Sequence, residues 1–154
     1  MLGYAIAYNS RDFTIDQLTS TTTTARIERI YDQFRSQYVD AKAPPRVYAG
    51  PQPYSLVAVN RRGDNAASVT VCYPESEWWI ESDHPLPQAD LGANGVEITY
   101  DVVTEDGALK VGDATESDTS CDASDIALGR FEPAPKPPAS ISEGDIRPPL
   151  TAGP

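Results

Sequence analysis

The chain has 154 residues, 12 Lys and Arg against 23 Asp and Glu, and a formal charge of −11. A length of this order holds one domain and at most a tail, and an apolar content of 40% suffices for one modest core. Such acidity argues against duplex nucleic acid, which is gripped by neutralising phosphates with Lys and Arg, and against a polybasic anchor on anionic lipid.

The first third reads as helical. Leu2 to Tyr8 resemble the last turns of a helix whose beginning is missing, and they are too short and lack the basic leader of a signal peptide. No apolar run reaches the ~20 residues that span a bilayer. Asn9-Ser10-Arg11-Asp12 interrupts, and Ser10 or Asp12 suits the cap of a new start. Phe13, Ile15 and Leu18 predict a short second helix ending in the Thr-rich stretch 19–24. The clearest helix follows, with Ile27, Ile30, Tyr31, Phe34 and Tyr38 on one stripe and Arg26, Glu28, Arg29, Asp32 and Arg35 elsewhere. Pro44-Pro45 stops it.

The remainder to residue 116 is strand-like. Segments 54–59 and 67–73 flank Arg61-Arg62-Gly63-Asp64-Asn65, a hairpin turn. Trp78-Trp79-Ile80 predicts a third strand, and a Pro- and Gly-bounded loop runs from His84 to Gly95. A second hairpin pairs 96–103 with 108–112 around Glu105-Asp106-Gly107. Alternation sets Val96, Ile98, Tyr100 and Val102 on a buried face and Glu97, Thr99, Asp101 and Val103 on a solvated one. Helices followed by an antiparallel sheet give an α+β fold over residues 1–132. Seven of the fourteen prolines fall in 133–154, so that segment reads as a Pro-rich extended tail, either a linker or a strap on the domain surface.

Few residues carry chemistry. Cys72, Cys121 and the single histidine, His84, are too few and too scattered for a structural zinc site, so the thiols are either reduced or bridged. His84 has no visible Ser/His/Asp partner, and no Gly-rich phosphate loop opens a helix. Arg62-Gly63-Asp64, an integrin-type tripeptide, is what a tight turn requires. Residues 113–125, with five acids and no base, read as a solvated acidic segment with no calcium-loop spacing. Trp78 and Trp79 point to opposite faces of one strand. One belongs in the core and the other lies under a loop, under the tail or in a partner interface, so Trp78, Trp79 and His84 are the candidate interface residues. No catalytic set, metal site or cofactor is expected.

The run Tyr4-Ala5-Ile6-Ala7-Tyr8-Asn9-Ser10-Arg11-Asp12-Phe13, then Ile15-Asp16-Gln17-Leu18-Thr19, the amphipathic helix and the two hairpins resemble the nuclear transport factor 2-like superfamily, which includes the ketosteroid isomerase and SnoaL-like enzymes. The resemblance covers about residues 1–116 and implies helices packed on a curved, cone-like antiparallel sheet. Arg over Lys at nine to three and only four Asn suggest a GC-rich genome. Together with the truncated first helix, they are similar to actinobacterial cell-envelope members, anchored in full length by an N-terminal segment missing here. Such members imply a non-catalytic adaptor with a protein partner in an envelope, transport or secretion assembly. The alternative is a small-molecule-binding or isomerase-like enzyme using the cone pocket. The isomerases need an inward carboxylate with Tyr and a protonated acid. Tyr48, Tyr73, Tyr100 and Asp101 are the candidates, but Tyr100 and Asp101 face opposite ways. A filled core of Ile27, Ile30, Phe34, Leu56, Val69, Ile98, Tyr100 and Val111 is therefore expected. In the cone topology the end of one long strand approaches the exit of its neighbour, which lets Cys72 and Cys121 form a disulfide and implies an extracytoplasmic location.

Overall fold

The computed structural model describes residues 2–75, 78–81 and 92–150. Three helices, α1 (Leu2–Ser10), α2 (Asp16–Thr19) and α3 (Thr24–Arg35), precede the strands, and α3 runs on as one wide π-turn over Ser36–Asp40. The strands are β1 (Arg46–Tyr48), β2 (Ser55–Arg61), β3 (Ala66–Pro74), β4 (Trp79–Glu81), β5 (Asn94–Glu105) and β6 (Ala108–Asp122). The fold is α+β, with a curved antiparallel sheet in the order β2-β3-β5-β6 and a separate ribbon of β1 and β4.

The stripe on α3 does what its spacing predicts. Ile27, Phe34 and Tyr38 are buried with Ala7, Phe13 and Leu18, while Ile30 and Tyr31 pack at the edge of that cluster. Phe34 meets Tyr8 edge-on at 4.8 Å and Phe13 at 5.5 Å between ring centres, a geometry that adds to the area term. The N-terminus of α3 is capped from the sheet: the Thr24 N–H donates to the carboxylate of Glu105 at 3.2 Å, and Lys110 holds the same carboxylate at 3.2 Å. An anion at a helix N-terminus meets the orphan N–H groups and the positive end of the dipole.

Strand β6 is far longer than expected. The hairpin pattern predicts an end at Gly112, yet the strand pairs with β5 as far as Asn94↔Asp122. The acidic segment is thus an edge strand, its low β-propensity overridden by the backbone partners that β5 supplies. Charge on an exposed edge also discourages pairing with another chain. A bulge between Val96 and Ile98 sets Ser120 and Glu116 opposite them and leaves residues 117–119 unpaired.

That bulge lies beside the disulfide. Cys72 on β3 and Cys121 on β6 are joined, their Cα atoms 5.9 Å apart. Cys121 therefore lies in a strand, within the segment expected to be merely solvated and acidic. The two strands flank β5, and two strand spacings would be about 9.6 Å, so the sheet must fold sharply here. The bridge crosses Gly95 of β5, where any Cβ would stand 2.5 Å from the Tyr73 carbonyl oxygen and 2.7 Å from Cys72 Sγ. Only glycine leaves that space.

The strand expected at Trp78-Trp79-Ile80 is β4, but β1 after Pro44-Pro45 and its pairing with β4 were not expected. The ribbon is held by Arg46 opposite Glu81, which form an ion pair, and by Arg46 lying 4.6 Å over the Trp79 ring. Around it Ala5, Val47, Tyr48, Trp78 and Ile80 make a second core, closed by Leu128 and Phe131. Phe131 donates its N–H to the Ala49 carbonyl at 2.9 Å. Beyond Pro133 the chain returns to α1. Ile146 is buried in the helical cluster, the Phe13 N–H donates to Arg147 O at 3.0 Å, and the Arg147 N–H donates to Arg11 O at 2.8 Å. Arg35 meets Glu143 at 2.9 Å, and Arg147 meets Asp12 at 3.3 Å.

Candidate functional site

Between α1, α3 and the helix-facing side of β5 and β6 lies an open cavity of about 590 Å3. Its floor is Ile98 and Tyr100 from β5 with Val111 and Ala114 from β6; Leu2, Gly3 and Tyr4 form one wall and Arg26, Ile30 and Gln33 the other. Gln17, Ser20, Thr21, Thr22, Gln52 and Glu116 complete the lining. Volume and mixed lining fall in the range of small-molecule sites. The filled core expected from the sequence is therefore corrected. Ile30, Ile98 and Val111 line a space, and Leu56, placed in that core, is 62% exposed on β2. Alternation identifies the residues that share a face but not how far the opposite layer stands away.

Several tyrosines assemble beside this cavity. A smaller hollow of about 150 Å3 shares Tyr4, Ile30 and Gln33 with the cavity and adds Tyr8, Tyr48, Arg46 and Trp79. The hydroxyls of Tyr8 and Tyr38 are 2.5 Å apart, and the Tyr4 and Tyr48 rings meet edge-on with centres 5.6 Å apart. Burial pushes the phenols of Tyr4, Tyr8, Tyr38 and Tyr48 above their usual range, so all four stay protonated. They can hydrogen-bond a ligand but do not act as bases near neutral pH. Tyr100 donates its hydroxyl to Tyr73 at 3.1 Å, and burial raises both of these phenols as well.

Asp101 is on the other side of the sheet, 3.0 Å from Arg62, so the structure does not bring it together with Tyr100. Among the described lining residues Glu116 is the one carboxylate, and it is exposed. The paired inward acids of an isomerase are not found among them. Among the described residues no group of three or more His, Cys, Asp or Glu could hold a metal ion, and no helix is long and apolar enough to cross a membrane.

The candidate interface residues divide. Trp78 is 3% exposed, in the ribbon core, with the Arg130 guanidinium 5.4 Å above its ring. Trp79 is half-buried and lines the small hollow under Arg46. His84 lies outside the described residues. The sequence reading missed Arg26 and the uncovered strand β2. On β2, Leu56 and Val59 pair with Val71 and Val69 and so share the helix-facing side of the sheet, beyond the reach of the helices. An apolar pair flanked by Tyr54 and Arg61 on a strand adjoining a hairpin was the available signal for it. Compared with known proteins, the chain matches no protein-family model, no curated protein and no solved structure.

Proposed function

We propose that this chain is a non-catalytic, extracytoplasmic binding domain that serves as an adaptor in a cell-envelope, transport or secretion assembly. One observation carries the reading: β2 is an edge strand whose apolar side chains Leu56 and Val59 are 62% and 54% exposed. An uncovered apolar edge is a liability unless a partner covers it, and the main-chain groups along it can accept an extended segment. The disulfide supports a location outside the reducing cytosol. The likeness of the helix–hairpin order to nuclear transport factor 2-like envelope proteins points the same way. The test is photo-cross-linking in cells from an amino acid placed at position 56 or 59, with position 118 on the acidic edge as control. A discrete adduct with one envelope protein from 56 and 59 but not 118 supports the adaptor; equal or absent labelling at all three overturns it.

The enzyme reading rests on the cavity alone. It lacks an inward acid among the described lining residues, and burial holds the tyrosines there protonated.

A further inference from the structure

Arg26 is an unusual lining residue. It is the only cation among the described residues around the large cavity, and its side chain is 19% exposed. Its guanidinium lies 5.6 Å from the centre of the Tyr100 ring. A guanidinium carries five donors, and a buried one is normally hydrogen-bonded as well as paired. Among the described residues Arg26 has one polar contact, Asp113 at 3.6 Å, beyond hydrogen-bond length. That carboxylate is 65% exposed and lies nearer to Arg29, at 3.3 Å. An exposed pair of this kind is weak, so a ligand anion displaces it at small cost. Around the guanidinium the cavity offers apolar surface from Leu2, Ile30, Ile98 and Val111.

We propose that this cavity binds an amphiphile with a single carboxylate head and an apolar body, the carboxylate forking onto Arg26 and the body lying along Ile30, Ile98 and Val111. Two features narrow the class. The planar guanidinium suits a bidentate carboxylate. The overall charge of −11 repels compact polyanions, leaving apolar burial to draw the ligand in. The site goes beyond the adaptor reading and is independent of it, since its residues are not those of the exposed β2 pair.

The test is calorimetric titration of the whole chain with decanoate, 1-decanol and decyltrimethylammonium, each below its aggregation concentration. Decanoate is expected to bind saturably at one per chain and at least tenfold more tightly than the other two. Arg26→Gln should bring decanoate down to the level of the alcohol, and Ala114→Phe, which fills the floor, should weaken both. Leu56→Ser should leave decanoate binding unchanged. Absence of saturable binding, equal affinity for acid and alcohol, full binding to Arg26→Gln, or loss with Leu56→Ser each overturns the proposal. Should Arg26→Gln not fold by circular dichroism, the head-group preference of the unaltered chain and the effect of Ala114→Phe decide it. Decanoate affinity left unchanged by Ala114→Phe places the ligand elsewhere and overturns the proposal. Failure here leaves the cross-linking test of the adaptor untouched, and the reverse holds too.

Discussion

Helix α3 and strand β2 carry equally apolar stripes and meet opposite fates. On α3, Phe34 is sealed at 1% exposure among Phe13, Tyr8 and Tyr38; on β2, Leu56 faces solvent although its partner Val71 is buried. The difference lies in what stands opposite. Two aromatic-bearing segments and the returning C-terminal segment close over α3, whereas the helices reach only the β5–β6 side of the sheet. An apolar face is thus a demand for cover, and in β2 that demand is left open by the described residues.

Truncating the two stripes gives the sharpest contrast. Phe34→Ala should cost about 3–5 kcal/mol, since it opens a cavity among rings that cannot collapse, whereas Leu56→Ala should cost under about 0.5 kcal/mol. Urea denaturation of both variants measures the gap, and similar losses would mean that β2 is covered after all. The sheet side of the contrast rests more on its covalent tie. Replacing Cys72 and Cys121 together by serine frees a loop of sequence separation 49 and should lower stability by about 2–4 kcal/mol, read from the urea midpoint; an unchanged midpoint would mean that packing alone holds the fold at Gly95. Gly95→Ala probes the same spot more gently. Its methyl must push against the Tyr73 carbonyl and the bridge, with an expected loss of about 1–3 kcal/mol.

The smallest effect separates the covered half by pH. Partial burial works to raise the pKa of Asp12, but hydrogen bonds from Thr14 and the nearby Arg147 outweigh it, so the carboxyl titrates below its usual value. A group with a lowered native pKa contributes stability that is present above its unfolded pKa, near 3.8, and lost as pH falls through the native one. Asp12→Asn should therefore lower the melting temperature slightly at pH 7, where that contribution is fully present, and flatten the acid limb of the profile below about pH 4, where the two proteins converge. Leu56→Ala should leave that limb as it is.

Much of the fold could be read from local pattern. The 3.6-residue period of Ile27, Ile30 and Phe34 marked α3, and Asp106-Gly107 marked a turn that bends where both residues adopt positive φ. The parts that escaped depend on partners distant in the chain. β1 is three residues long and exists because Arg46 finds Glu81 and Trp79 on β4, itself the strand expected at Trp78-Trp79-Ile80. β6 runs through a segment whose own side chains disfavour a strand, because β5 offers the hydrogen bonds. The cavity was least legible, since it is the distance between two layers and no single residue encodes it. Arg26 looked like one of five charged positions on a solvated helix face, and only the placement of β5 turned it inward.

The contact of Ile146 and Arg147 with α1 sets an order on biosynthesis. Asp12 and Arg147 are 135 positions apart, so the core around Phe13 stays one wall short until Ile146 and Arg147 have emerged from the ribosome. Pairings this distant in sequence are slow to form. A core that waits for its last wall stays open to solvent, and within reach of a chaperone, through most of synthesis.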